Sequence, residues 1–308
     1  MNKQTLLYVV LAAAVVSTVY FSTQETKDEF GMWKKKFNFQ FPESENLYRS
    51  LIFYRNLAII NDHNSKADRT YDMGLNQFSA LTDEEFVSTH LSPKPYNPEW
   101  ENSDTTMGNL RADVDWVTQG KVSKVKDQGN CGSCWAFSAV GVLESWSLFK
   151  GQTADLSEQQ LVDCSRKYGN QGCNGGFNYQ GLAYVKDHGI TTESAYPYTA
   201  HNEGCKTEGG AFKIAQVQTV KGCPSLTEAI QSHPVGVSAD ATNWSKYSSG
   251  IFSGCGTSLN HDILLVGLTS TYWKIKNSWG TSWGEKGFIR LAPGNTCGVC
   301  IDKSPWVN

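Results

Sequence analysis

The sequence predicts an α+β protein in which a helical half packs on a β-rich half and leaves a cleft between them. The length of 308 residues suggests about two structural units at roughly 100–200 residues each. Helical patterns are found in the first part of the chain, over Trp135–Phe149 and from Ser157, whereas short β-type runs follow from about residue 212. All nine cysteines lie at or beyond Cys131, so a cysteine-free segment precedes a cysteine-rich body.

The composition excludes several classes of protein. Hydrophobic residues make up 40% of the chain and aromatic residues 12%, which argues against intrinsic disorder. A net charge of −3 leaves no basic surface for nucleic acid, so no nucleic-acid partner is expected. Long apolar stretches are confined to the N-terminus, which excludes a polytopic membrane protein.

The N-terminus has the pattern of a secretory signal peptide, predicted over residues 1–22. Met1–Lys3 is a short positive start, and an apolar run over Leu6–Val16 precedes small and polar residues. Cleavage is expected between Ser17 and Gln24, although the apolar character continues through Phe21 and also fits a signal anchor. Either alternative sends the chain to an oxidising compartment, where nine cysteines imply one thiol outside any bridge.

Charge and turn composition divide the chain near residue 109. Residues 1–109 carry a net charge of −4 and residues 110–308 a net charge of +1. The loop-like stretch Ser92–Pro98 and the polar run Glu101–Gly108 would join the two parts.

The first part is predicted to be helical. Six residues spaced 4, 4, 3, 4 and 4 apart lie within an arc of about 100° on one helix face. An earlier helix would carry Phe30, Trp33 and Phe37. The six residues of the stripe are Glu45, Arg49, Phe53, Asn56, Ile60 and Asn64.

The second part begins with helices and continues with strands. Trp135–Phe149 is apolar almost all round until Glu144, as in a core helix. A further helix is expected from Ser157, where Ser157–Gln160 resembles a capping box. Five short β-type runs separated by Gly, Pro and Asn then predict a small barrel or sandwich: Ala215–Val220, Val235–Ala239, Ile263–Val266, Tyr272–Ile275 and Phe288–Leu291.

The segment of residues 128–135, Q-G-N-C-G-S-C-W, carries the clearest chemical signal. Its C-x-x-C would suit a redox dithiol, but no strand–helix–strand pattern precedes it. A zinc site with Cys297 and Cys300 is disfavoured, because the two pairs lie far further apart than the roughly 15–20 residues usual in zinc ribbons.

Nucleophilic catalysis explains this segment better. Cys134 would begin the apolar helix, where the helix dipole stabilises a thiolate. His261 opens a β-type run and could serve as its base, with Asn277 orienting the imidazole and Trp279 shielding that contact. Gln128 can donate to a developing oxyanion.

With these residues the chain resembles the papain family of cysteine proteases, specifically a cathepsin L-like precursor. The block Q-G-x-C-G-S-C-W is typical of that family, and His261 and Asn277 follow Cys134 by 127 and 143 residues, within its usual range. Val114–Trp116 resembles the start of a mature enzyme. The helical stripe matches the E-R-F-N-I-N propeptide motif at all six positions. The G-N-F-D motif is matched by Gly74, Asn76 and Phe78, with Ala80 in place of aspartate, which puts an acid-triggered loosening of the propeptide in doubt.

The resemblance implies a helical left domain, a β-barrel-like right domain, an active-site cleft between them and a preceding helical propeptide. It assigns residues 23–109 to the inhibitory propeptide (I29-type) and residues 110–308 to the peptidase. It implies a thiol endopeptidase made as a zymogen, working through a Cys-His-Asn acyl-enzyme on protein or peptide substrates, in a lysosome or equivalent acidic vacuole or as a secreted enzyme. Its own propeptide would inhibit it, cystatin-type inhibitors are candidate partners, the mature form would be a monomer, and no cofactor or metal is implied.

The alternatives are a catalytically inactive papain-like protein that binds peptides, and a thiol–disulfide oxidoreductase, which would need Cys131 free. The presence of all four catalytic residues (Cys134, His261, Asn277 and Gln128) speaks against the first alternative.

The resemblance also implies substrate-binding and disulfide positions. Trp279 flanks the cleft, Gly175 and Gly176 would hold extended substrate, and Phe177, Asn178, Asp262 and Asp302 would line the pocket for the second residue before the scissile bond. Two carboxylates there could accept a basic side chain as well as an apolar one, unless they turn outward into solvent. Expected disulfides are Cys131–Cys173, Cys164–Cys205 and Cys255–Cys297, with Cys223–Cys300 proposed as an extra fourth bridge.

Overall fold

In the structure, a computed structural model that describes residues 29–95 and 97–308, a helical N-terminal segment lies against a two-part body. The predicted signal peptide, residues 1–22, lies outside the described residues. Within the described ranges, no helix has the length and apolar character needed to cross a membrane.

The N-terminal segment contains the two helices that the sequence predicts and a third that it does not. Helix α1 covers residues 29–37, α2 covers Glu43–Ser65 and α3 covers Asp83–His90, with a short strand β1 at Tyr71–Met73. All six stripe residues lie on α2, whose apolar face packs aromatic rings of α1: the Trp33 and Phe53 ring centroids are 5.4 Å apart. This aromatic cluster gives the segment a small core of its own.

The left domain is built around helix α4 (Cys134–Phe149), which begins one residue before the predicted start. It packs with α5 (Glu158–Cys164) and α6 (Asn178–His188), the latter not predicted. Almost every side chain of α4 up to Ser145 is buried, because helices cover one side and the β half covers the other.

The predicted capping box at the start of α5 is only half present. The Ser157 hydroxyl accepts from the Gln160 N–H at 3.0 Å, as expected. The reciprocal bond is missing because the Ser157 N–H donates to the Thr191 carbonyl at 3.1 Å. The Gln160 side chain instead donates to the carbonyls of Thr207 and Gly209. Tertiary contacts thus replace the local motif.

The β half is an open sheet, and the predicted barrel is wrong in that respect. The strand order is β1-β5-β8-β7-β6-β2, with β4 also pairing with β6, and among the described residues the outer strands do not pair with each other. Strand β1 of the N-terminal segment covers the outer edge of β5, and β3 and β9 form a separate two-stranded sheet, so closure does not occur. The strands are β2 (Val114–Asp115), β3 (Val217–Val220), β4 (Val235–Ala239), β5 (Tyr247–Phe252), β6 (His261–Leu268), β7 (Trp273–Lys276), β8 (Phe288–Leu291) and β9 (Ser304–Val307).

Helix α7 (Cys223–Ile230) interrupts the β-type runs that the sequence predicts from about residue 212, and it was not predicted. Pro224 stands in its first turn, where a missing N–H costs nothing. Leu226 and Ile230, four residues apart, bury one helix face against the sheet.

Strand β6 connects the two cores and places the site. Ile263 and Leu265 belong to the core of the β half, whereas Leu264 and Val266 belong to the core of the helical half. A strand buried on both faces explains its continuous apolar run. His261 stands at its first position, at the junction of the two halves.

All four expected disulfides are formed, and Cys134 is the one unbridged cysteine. The extra bridge joins Cys223, at the start of α7, to Cys300 with an S–S distance of 2.04 Å. It therefore ties that helix to the segment preceding β9.

Candidate active site

Cys134 lies at the first turn of α4 and is 2% exposed. The loop before it is held by the Cys131–Cys173 bridge and by a hydrogen bond from the Gly132 N–H to the Cys173 carbonyl at 2.9 Å. Burial, reinforced by the negative charge of Asp262, raises the pKa of the Cys134 thiol to about 12. In this form of the chain the thiol is therefore protonated, in spite of the helix N-terminus beneath it.

The disulfides also decide the two C-x-x-C alternatives. Cys131 is joined to Cys173 instead of being free to resolve Cys134. Cys297 and Cys300 are joined to Cys255 and Cys223. Neither motif is therefore a redox dithiol or a zinc half-site in this structure, and the described residues contain no His/Cys/Asp/Glu cluster that could hold a metal.

His261 is oriented by two neighbours. Its Nε2 lies 2.7 Å from Asn277 Oδ1, and its ring stacks on the Trp279 ring with centroids 4.6 Å apart. An Nε2–H that donates to Asn277 leaves Nδ1 with the lone pair, and Nδ1 has no hydrogen-bond partner among the described residues. Burial lowers the pKa of His261 to about 3, although the hydrogen bond to Asn277 acts to raise it. The imidazole is therefore neutral in this structure.

Gln128 has both ends of its side-chain amide engaged. Its Oε1 accepts from the Ser278 hydroxyl at 2.8 Å, which fixes the orientation of the amide. Its Nε2 donates to the Cys131 carbonyl at 2.9 Å and to the His90 carbonyl at 3.0 Å. The donor predicted for the oxyanion is thus occupied by the N-terminal segment.

The chain following α3 continues through the cleft. The Ser92 N–H donates to the Asn260 carbonyl at 2.7 Å, and the Lys94 N–H donates to the Leu259 carbonyl at 3.0 Å. On the other wall Gly175, with φ at +117°, lets the Ser92 hydroxyl approach so closely that any Cβ there would overlap it. The segment occupies the groove that the sequence assigns to substrate.

The predicted specificity pocket contains a side chain of the same segment. Lys94 Nζ lies 3.0 Å from Asp262 Oδ2, 3.2 Å from the Gly176 carbonyl oxygen and 3.9 Å from the centroid of the Phe177 ring. Asp262 and Asp302 are both buried, so the alternative that they turn into solvent is wrong.

Asn178 contributes to this pocket in a different way from the other residues. Its side-chain amide points to helix α4 and donates to the Ser138 hydroxyl at 3.1 Å. Its backbone N–H, in the first turn of α6, donates to Asp262 at 3.2 Å. The helix N-terminus therefore stabilises the Asp262 carboxylate.

Sequence reasoning did not identify several residues that the structure brings to the site. His90 ends helix α3, which the sequence did not predict, and Lys94 lies in the stretch interpreted as a linker. Ser238 donates to Asp262 at 2.6 Å and lies 3.1 Å from Asp302, and Trp100 donates to Asp302 at 3.3 Å. The one available signal was a lysine among the prolines of Ser92–Pro98, and nothing in that pattern indicates a partner.

Comparison with known families finds two matching domains. Residues 110–305 match the papain family cysteine protease domain, and residues 30–86 match the cathepsin propeptide inhibitor domain (I29). Cathepsin L 2 of Paramecium tetraurelia is 42% identical over 298 residues, which cover 92% of this chain and 95% of that protein. Digestive cysteine proteinase 3 of Homarus americanus is 40% identical, covering 84% of this chain and 88% of that protein.

Solved precursor structures have the same fold. Digestive procathepsin L 3 of the Tenebrio molitor larval midgut superimposes with a TM-score of 0.81 at 37% identity, covering 92% of this chain and 99% of that chain. A recombinant stem bromelain precursor gives a TM-score of 0.82 at 31% identity with the same coverage. The open sheet, the helical half and the helical N-terminal segment are thus shared with zymogens.

Proposed function

The chain belongs to the papain family of cysteine proteases, as a cathepsin L-like endopeptidase with an inhibitory propeptide, and on this premise we propose a Cys-His-Asn acyl-enzyme mechanism. The observation that carries it is the His261–Asn277 hydrogen bond, 2.7 Å long; His261 directly precedes Asp262, whose backbone interacts with the one unbridged cysteine, Cys134. This bond directs Nδ1 away from Asn277 and leaves it without a partner in the described part of the chain.

The first half of the reaction forms the acyl-enzyme. The Cys134 proton moves to His261, and the thiolate attacks the scissile carbonyl carbon to form a C–S bond. The carbonyl oxygen becomes an oxyanion, which accepts hydrogen bonds from Gln128 Nε2 and the Cys134 backbone N–H. His261 then donates its proton to the departing amine as the C–N bond breaks.

The second half restores the enzyme. His261, now neutral, takes a proton from a water that attacks the thioester carbonyl. Collapse of that intermediate releases the carboxylic acid, and the proton returns to the Cys134–His261 pair. Asn277 and Trp279 hold the imidazole in one orientation through both halves, so the same ring serves as base and acid.

The propeptide, proposed as residues 23–109 and followed by the peptidase of residues 110–308, blocks each of these steps. Its His90 carbonyl accepts the Gln128 side-chain N–H that would otherwise bind the oxyanion, and the propeptide excludes solvent from Cys134 and His261. We expect its removal to restore water to the pair and to bring the pKa of Cys134 down and that of His261 up, since desolvation dominates both shifts. Removal would then convert a neutral thiol and imidazole into a thiolate and an imidazolium.

Further assignments complete this proposal. Residues 1–22 would direct the chain into the secretory pathway, towards a lysosome, an equivalent acidic vacuole or the exterior. Protein and peptide substrates fit the open groove, cystatin-type inhibitors would compete for it, and the processed enzyme would act as a monomer. No step of the mechanism calls on a cofactor or a metal.

The test compares Cys134 before and after processing of the full chain at acid pH. The rate of Cys134 alkylation by iodoacetamide is measured against pH, together with hydrolysis of a peptide amide. We expect rapid alkylation below about pH 6 only after processing, accompanied by hydrolysis, because a thiolate–imidazolium pair persists at that pH. Cys134→Ser is the control for both signals.

Two outcomes would contradict the mechanism. Rapid alkylation without hydrolysis would favour the inactive, peptide-binding alternative. Hydrolysis that survives in Cys134→Ser would exclude Cys134 as the nucleophile.

A further inference from the structure

Lys94 is a buried cation within the specificity pocket. Its side chain is 4% exposed, and its Nζ forms an ion pair with Asp262, whose side chain is 0% exposed. A lysine is rarely buried so completely without a partner that offsets the loss of hydration. The pocket therefore supplies the contacts of a binding site for an ammonium group.

The contacts of Lys94 are those that a basic substrate side chain would need. Asp262 provides the opposite charge at 3.0 Å, and the Gly176 carbonyl accepts at 3.2 Å. The Phe177 ring lies 3.9 Å from Nζ, within the range of a cation–π contact. These three groups belong to the part of the chain that matches the peptidase domain, not to the propeptide.

The two carboxylates of the pocket have different roles. Asp262 Oδ2 faces Lys94 and also accepts from the Asn178 N–H, whereas its Oδ1 accepts from the Ser238 hydroxyl. Asp302 Oδ1 accepts from Trp100 and from the Lys303 N–H, its Oδ2 lies 3.1 Å from the Ser238 hydroxyl, and it has no ion pair within the described residues. Its Oδ1 is occupied by neutral donors, of which the Lys303 N–H belongs to the peptidase and Trp100 to the propeptide.

Resting on the proposed function, we propose that Asp262 makes the processed enzyme select lysine or arginine as the second residue before the scissile bond, and that Lys94 occupies this position in the zymogen. Asp302 supports Asp262 through the shared Ser238 hydroxyl without meeting the substrate cation. The choice of a basic side chain is thus made by the residue that directly follows the catalytic histidine.

The location of Asp262 also couples this pocket to the nucleophile. Its negative charge raises the pKa of the Cys134 thiol, whereas the charge of Lys94 lowers it. A basic substrate side chain would replace Lys94 as the counter-charge, and an apolar one would leave the buried carboxylate unpaired. Selectivity is therefore expected in kcat as well as in KM.

The experiment uses enzyme processed from the full chain and two peptide amides that differ only at the second residue, arginine or leucine. Because a hydrogen bond to a charged group is among the stronger ones, wild-type kcat/KM should favour arginine by about 10-fold or more. Asp262→Asn should lower the arginine-to-leucine ratio of kcat/KM at least about 10-fold, because the neutral amide cannot pair with the substrate cation and leaves no buried charge unpaired beside leucine. Asp302→Asn is the matched comparison at the same pocket, and it should alter the arginine-to-leucine ratio less than about 3-fold.

The outcomes separate this inference from the function on which it rests. Efficient cleavage of the leucine peptide without any preference for arginine would overturn the inference alone, and this wild-type result needs no variant to fold. A ratio that falls with Asp302→Asn and not with Asp262→Asn would also overturn it. Failure to hydrolyse either peptide would overturn the proposed function together with the inference.

Discussion

The side-chain amide of Gln128 donates to the backbone carbonyl of His90 at 3.0 Å, so the propeptide occupies a donor that the proposed catalysis needs. The His90 ring packs between Phe78, at a centroid distance of 4.7 Å, and Phe86, at 5.6 Å. Both phenylalanines contact the Trp279 ring, which stacks on His261. A titratable propeptide residue is thereby packed into the aromatic wall of the site.

We predict that His90 makes processing sensitive to acid. Burial lowers its pKa from 6.5 to about 4. Between these two pH values, His90 is therefore protonated in the released propeptide and neutral in the docked one. Docking is therefore fully stable above about pH 6.5 and loses up to about 3 kcal/mol as the pH falls to 4. His90→Gln, which cannot be protonated, should move the midpoint of processing about one pH unit lower.

The measurement is the fraction of full-length chain processed at each pH, followed on a gel. His63→Gln, which removes another propeptide histidine, is the control and should leave the midpoint in place. An unchanged midpoint in His90→Gln would show that another group senses acid. A histidine in this role would answer the doubt raised by Ala80, where the family motif has aspartate.

Gln128→Ala should reduce kcat of the processed enzyme by about 10²-fold, because one oxyanion donor is lost. The alkylation rate of Cys134 by iodoacetamide should change little, since that reaction forms no oxyanion at a carbonyl. Both rates are measured on the same preparation. A parallel fall in alkylation would indicate a damaged Cys134–His261 pair instead of a missing donor.

Arg49→Met should destabilise the propeptide by about 2 kcal/mol. Arg49 is 16% exposed and binds Glu45 and Glu85, each at 2.7 Å, and the Ala80 carbonyl at 3.1 Å. We expect faster processing at pH 6 and a lower thermal midpoint. Arg55→Met breaks an exposed pair with Asp83 at 3.4 Å and is the matched control, with an expected effect below about 1 kcal/mol.

The same cluster should weaken in strong acid. Burial alone would raise the pKa of Glu85, but hydrogen bonds from Arg49 and from the Thr82 N–H keep it below its ordinary value of 4.5. Its contribution is therefore complete above about pH 4.5 and is lost as the pH falls through the lowered pKa. Equal processing rates for Arg49→Met and wild type at pH 6 would contradict a stabilising role.

Replacing Cys223 and Cys300 by serine should lower the free energy of unfolding by about 3–4 kcal/mol, since their bridge closes a loop with a sequence separation of 77. Urea unfolding of the full chain in a Cys134→Ser background, which prevents self-cleavage, measures the change. The Cys255/Cys297 pair, with a separation of 42, is the matched comparison in the same half. A loss below about 1 kcal/mol would show that α7 holds its place without the bridge.

Much of the fold could be predicted from local pattern. The spacing of the α2 stripe, the all-round apolar character of α4 and the bounds of β4 and β8 are properties of neighbouring residues, and short-range periodicity reports them. Helix α7 was missed because it is short and lies among β-type runs. A closed barrel could not be predicted or excluded from the sequence, because closure depends on which edge strands of the sheet pair, and the residue pattern of one strand does not show its neighbours.

The sequence by itself determined the nucleophile, base and orienting residue as candidates, because their residue types and spacing are typical of one chemistry. Only the tertiary structure decided that Lys94 pairs with Asp262 and that the Gln128 side chain donates to the His90 carbonyl, since these partners lie 168 and 38 residues apart. Such contacts depend on how the propeptide crosses the cleft. Burial, which sets the charge of Cys134, exists only once both halves and the propeptide are assembled.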